Sequence, residues 1–110
     1  MSDVAPFTIA VSDELLADIH ARVAAFCWHE MPDDGGWEYG ANLDYMQELC
    51  AYWLEGYDWR KHEAALNRFM HYKTDVEGLD LHFIREQGSG PNPIPLLISH
   101  GWPGSVHEFM

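Results

Sequence analysis

The sequence is short of basic residues. Six lysines and arginines stand against 18 aspartates and glutamates, a formal net charge of −12, which disfavours nucleic acid or an anionic membrane surface as a partner. The acidic residues are spread along the chain, as on a solvated face, and no metal-binding cluster is expected. Cysteine is scarce as well. Cys27 and Cys50 form no disulfide framework and lack the tight spacing of a zinc or redox pair, so two buried free thiols are expected. No apolar run approaches a membrane span, and Met1-Ser2-Asp3-Val4 offers no basic segment leading into an apolar one. A soluble, cytoplasmic protein is the expectation. Internal repeats and low-complexity segments are also missing. What the chain does have is apolar material: 47% hydrophobic and 14% aromatic residues in 110 are too many for a disordered chain and suit one small domain.

Phe7 to Val11 alternates like a short strand or extended arm, and Ser12 followed by Asp13 and Glu14 reads as a helix start with acidic residues in the first turn. Leu15, Ile19, Val23 and Phe26 then recur at helical spacing, with Asp18 and Arg22 four apart on the wet side. From Cys27 to Gly40 the pattern breaks into a loop that includes Asp33, Asp34 and Gly35 and ends with the aromatics Trp37 and Tyr39. Loops of this length that carry aromatics are usually pinned to another surface. Asn42 caps a second helix to about Leu54, apolar over so wide an arc that it needs contacts on more than one side. Asp58 opens a third, from Trp59 to Phe69.

Two alternating runs, His71–Val76 and Leu79–Arg85, meet at Glu77-Gly78 and predict a hairpin. Beyond a Gly/Pro connector, Ile94 or Pro95 to Ser99 reads as a third, fully buried strand. It runs into His100-Gly101-Trp102-Pro103-Gly104-Ser105, a tight turn with Ser105 placed to cap another helix. At the carboxyl end of such a strand, backbone N–H groups face a crevice and stabilise negative charge. Gly101 and Gly104 remove side chains that would hold a ligand away from that backbone. The expected class is α/β: a helical amino-terminal segment, residues 1–70, followed over 71–110 by the first three strands of a sheet left incomplete. Nothing in the chain covers the third strand, so the stretch is expected to be the amino-terminal part of a larger protein.

His-Gly-Trp-Pro-Gly-Ser, taken with Trp37-Glu38-Tyr39-Gly40, the Tyr45–Trp53 helix, Tyr57-Asp58-Trp59-Arg60 with Glu63, Leu66-Asn67-Arg68-Phe69, and Glu77-Gly78-Leu79 with Leu81-His82-Phe83-Ile84, resembles the front of microsomal-type epoxide hydrolases of the α/β-hydrolase superfamily. The likeness runs from about Phe7 to the last residue. It implies a cofactor-free opening of small-molecule epoxides to vicinal diols through an aspartyl ester, with nucleophile, tyrosine donors and histidine base all past Met110. By the same resemblance the Trp102 backbone N–H is an oxyanion donor, Trp102 and Pro103 line the pocket, and His100, Gly101 and Gly104 support the loop. A cis bond before Pro103 is implied too. Trp37, Tyr39, Trp53, Trp59 and Phe69 are implied to be docking and core residues. Relatives usually carry an arginine before the tryptophan that Trp28 matches; this chain has Cys27 there. The remaining histidines, His71 and His82 among them, lack ligand spacing and read as core or solvated. Two other readings stay open: a non-catalytic binding or relic module, and haloalkane or ester hydrolysis on the same scaffold; the unpaired strand also offers an edge for a homo-oligomer.

Overall fold

The computed structural model describes residues 3–32 and 36–110. Of the sequence features above, Met1, Ser2, Asp33, Asp34 and Gly35 lie outside the described residues. The elements are β1 (Ala5–Phe7), α1 (Asp13–Ala24), α2 (Leu43–Glu55), α3 (Trp59–Leu66), β2 (His71–Val76) and β3 (Leu79–Ile84), followed by one 3₁₀ turn at Val106–Phe109. They fall into two compact units, Val11–Trp59 and Met1–Ala10 with Arg60–Met110.

In the Val11–Trp59 unit both helices start where side-chain caps are available. The Ser12 hydroxyl accepts the Leu15 N–H at 3.2 Å, and the Asn42 carboxamide accepts the Tyr45 N–H at 2.9 Å, each satisfying a donor that a helix start leaves open. Glu14's own backbone N–H, and then the Ser12 hydroxyl, hold the Glu14 carboxyl below its ordinary range. Arg22 reaches back to Asp18 at 2.8 Å, a surface pair of small consequence. The helices pack on each other, and Leu15, Leu16, Ile19, Trp53, Tyr57 and Trp59 line a groove of about 330 Å³. Trp37 from the loop rests on Tyr45 of α2 with ring centroids 5.3 Å apart. Cys27 is exposed and Cys50 half-buried. Both thiols are free, but neither is buried as the composition suggested, because no described apolar side chain in the molecule is fully buried.

The other unit is built on an antiparallel sheet of order β1-β2-β3. Glu77 and Gly78 both take positive φ, 54° and 83°. Positive φ at both central residues marks the two-residue turn whose twist matches its strands, and Gly78 adopts it without a Cβ penalty. The turn sets the register, His71 opposite Ile84 and Lys73 opposite His82. One face therefore carries Phe7, His71, Lys73, Asp80, His82 and Ile84; the other carries Tyr72 stacked on Phe83 at 5.7 Å. The alternation expected over Phe7–Val11 yields a strand that ends at Phe7, with the rest an arm outside the sheet. Helix α3 stops at Leu66, three residues short of the expected Phe69, as Arg68 and Phe69 turn to i−3 carbonyls.

Asn67, just past α3, fixes that arm. Its Oδ1 accepts the Ile9 N–H at 2.9 Å and its Nδ2 donates to the Ile9 carbonyl at 2.8 Å, so one carboxamide occupies the place of a neighbouring strand. Asn67→Ala strands two part-buried backbone groups, worth about 1–3 kcal/mol. The Ile9 amide is expected to exchange with solvent about tenfold faster or more in that variant; unchanged protection by mass spectrometry would refute the clamp.

Candidate functional site

The apolar stretch before the turn is not a strand. The described sheet ends at β3, and Pro95–Ser99 lies outside it, with Leu96 and Leu97 81% and 96% exposed. The reading of a third, buried strand is thus corrected. A strand exists by its ladder partners, and β1, β2 and β3 supply none to this segment. Its composition is that of a segment buried on both faces.

The turn itself is tightly wound. The Trp102–Pro103 peptide is cis, and the Gly104 N–H donates to the Gly101 carbonyl at 2.7 Å. Ser99 Oγ donates to the His100 carbonyl at 3.3 Å, and the His100 Nδ1 contact to the Gly101 carbonyl is a long 3.4 Å. Ser105 Oγ accepts the His107 N–H at 3.2 Å and caps the 3₁₀ turn, whose bonds run from Glu108 to Ser105 and from Met110 to His107. The first turn of a helix was expected at 105–110; i→i−3 bonding is how a run this short closes. Among the described residues no acceptor takes the Trp102 N–H, and the Trp102 side chain is 97% exposed.

The two glycines of the turn differ. A Cβ at Gly101 meets nothing within 4 Å, whereas one at Gly104 runs into the Glu108 carboxylate and sits 2.9 Å from the Gly101 carbonyl oxygen. The carboxylate can swing away; a hydrogen-bonded backbone oxygen cannot. Gly104→Ala is therefore expected to open the Gly101–Gly104 bond and Gly101→Ala to leave it closed. Amide exchange at residue 104 checks this, and equal protection in both variants would contradict it.

Two residues given no site role above are the buried ones among the described residues. Among the described residues only Glu63 and His71, 9% and 3% exposed, are buried. Glu63 is paired with Arg60 at 2.7 Å. His71 bonds to His82 at 3.0 Å and to the Leu66 carbonyl at 2.8 Å. The signal was in the hairpin: around a two-residue turn, positions 71 and 82 fall diagonally on one face. Single-residue patterns do not show diagonal pairs.

Helices first, then an antiparallel hairpin, then an apolar segment entering a glycine-proline turn: this is the front part of an α/β-hydrolase, and it superposes on one as such. Over 98% of this chain and 26% of the other, the crystal structure of juvenile hormone epoxide hydrolase from the silkworm Bombyx mori matches with a TM-score of 0.88 and 31% identity. The chain belongs to the epoxide hydrolase N-terminal family, whose model, described as epoxide hydrolase N terminus, matches residues 4–109. It is 40% identical over 110 residues to epoxide hydrolase 1 of Sus scrofa and 41% identical over 110 residues to juvenile hormone epoxide hydrolase of Manduca sexta. In both alignments 96% of this chain is covered but 24% of the relative. The chain thus spans about a quarter of the length of the curated relatives it matches.

Proposed function

We propose that this chain is the amino-terminal part of an epoxide hydrolase converting epoxides to vicinal diols, and that it contributes the oxyanion loop to that enzyme. The observation that carries the reading is the family match over residues 4–109 against a quarter of each relative's length. The exposed Pro95–Ser99 segment supports it, since contiguous apolar surface of this kind needs a cover.

In the reaction, a carboxylate oxygen of an aspartate attacks an epoxide carbon; the carbon–oxygen bond breaks, and the ring oxygen takes a proton from tyrosine. Water activated by a histidine with an acidic partner then adds to the aspartyl ester carbonyl. The tetrahedral intermediate carries an oxyanion, which collapses to release diol and regenerate the carboxylate. Aspartate, tyrosines and histidine are assigned to sequence past Met110. The role left to this chain is the oxyanion: the Trp102 N–H donates to it, its indole and Pro103 bound the substrate side, and Gly101, Gly104 and His100 hold the turn. A preorganised donor of this type acts where charge develops, at no cost of reorganisation. Sequencing genomic DNA through the Met110 codon tests the reading directly. An open frame of a few hundred codons with an aspartate at a strand-to-helix elbow and a late histidine is the expected result; a stop codon at that point would leave a non-catalytic binding module.

A further inference from the structure

We propose that Glu108 is a positioning residue for the oxyanion turn: its carboxylate takes the Ser105 N–H and leaves Trp102 as the open backbone donor of residues 102–105. The inference rests on the oxyanion role proposed above for this turn. Ser105-Val106-His107-Glu108 has the spacing of a capping box, in which a serine caps the helix start and a glutamate three residues on reaches back to the serine's own N–H. The forward half is formed. Ser105 Oγ accepts the His107 N–H at 3.2 Å, and the Ser105 carbonyl accepts the Glu108 N–H at 3.1 Å. Gly104 makes room for the backward half. The Glu108 side chain folds back over that glycine, and its carboxylate fills the space in which any other residue would carry a Cβ, with the carboxyl carbon 2.6 Å from that point. The Ser105 N–H is the next backbone donor along the chain from the Gly104 Cα, and among the described residues no acceptor takes it.

The function of the contact follows from the donors it leaves. From Trp102 to Ser105 the backbone carries three N–H groups, since Pro103 has none. The Gly104 N–H donates to the Gly101 carbonyl at 2.7 Å. An open Ser105 N–H would be a second loose donor in the turn; with the carboxylate on it, Gly104 is pinned between the Gly101 carbonyl on one side and Glu108 on the other. The Trp102 N–H is then the donor left for an oxyanion. Bonding also fixes the carboxylate itself, which would otherwise be a mobile negative charge beside a developing one. Glu108 lies in the first turn after the Ser105 cap, where a carboxylate is favoured. Gly104 is a glycine on this reading because the glutamate occupies its side-chain space.

The test uses the polypeptide of the complete open reading frame that contains this chain. Glu108→Ala should speed amide exchange at Ser105 about tenfold or more. It should also lower kcat about tenfold with KM nearly unchanged, because a loosened donor is felt in the transition state and not in substrate binding. Single-turnover consumption of epoxide should be spared, since the donor serves ester hydrolysis. Glu108→Gln keeps an acceptor oxygen at the same reach and should restore both the protection at Ser105 and the rate. Unchanged exchange at Ser105 in Glu108→Ala, or a Glu108→Gln variant as impaired as Glu108→Ala, would overturn the cap. Faster exchange with an undiminished kcat would overturn the positioning role. Failure of the oxyanion role itself shows elsewhere: exchange is measured without substrate, whereas a Trp102→Pro enzyme with an undiminished rate refutes that role whatever Glu108 does.

Discussion

A polypeptide ending at Met110 is expected to form no diol from any epoxide, and to be a poor folder as well. Catalysis requires a carboxylate, a base and an oxyanion donor around one enclosed space. The proposed donor stands on a loop whose tryptophan is 97% exposed, and Glu108, lying over Gly104, belongs to that same turn. Folding faces the same shortage. No described apolar side chain is fully buried, while Ile94, Leu96, Leu97 and Trp102 face solvent. Without a closed core, little opposes chain entropy. The isolated chain should bind hydrophobic dyes, melt over a broad range and self-associate through the open Pro95–Ser99 segment. Gas chromatography for diol, with sedimentation and calorimetry on the same sample, decides it. Turnover by the short chain would overturn the assignment of the reacting groups to sequence past Met110, and a monomer with a sharp melt would refute the folding argument.

On the role proposed for Trp102, replacing it by proline in the full-length protein should lower kcat by about 10²–10³, the cost of one oxyanion donor. The substitution removes the backbone N–H together with the indole, so Trp102→Phe is the control that separates the two. Because the donor serves the tetrahedral intermediate of ester hydrolysis, the first step should be largely spared. Substrate should then disappear in a burst equal to the enzyme present, followed by a slow steady state as the ester accumulates. Trp102→Phe keeps the N–H and trims the indole, so its loss is expected mainly in KM. A Trp102→Pro enzyme with an undiminished steady-state rate would show that the donor lies elsewhere; loss of the burst together with turnover would place residue 102 in the alkylation step.

Much of the local structure could be read directly. Ser12 and Asn42 start helices because their side chains reach an N–H three residues on, a contact contained within the sequence itself. Glu77-Gly78 closes a hairpin because both residues take positive φ, and the cis Trp102–Pro103 bond and the Ser105 cap follow the motif that carries them. The amphipathic face expected of the first helix is real, but its Leu15 and Ile19 line an open groove. Trp37 and Tyr39, read as docking or core residues, are exposed in this chain. Burial is a relation between an apolar face and whatever covers it, and a pattern reports only the face.

The sequence by itself determined the class and the family. Caps, turn chemistry and the order of aromatic motifs are short-range, and they persist whatever the rest of the molecule does. Tertiary structure decided three other matters. It paired β1, from the amino end, with β2 some sixty-five residues later, and seated Asn67 on Ile9 across a separation of 58. It denied Pro95–Ser99 a strand, because a ladder needs a second backbone that β1 to β3 do not provide. And it joined His71, His82 and the Leu66 carbonyl into one hydrogen-bonded line. Each depends on chain segments meeting in space, with a free energy that no local pattern contains.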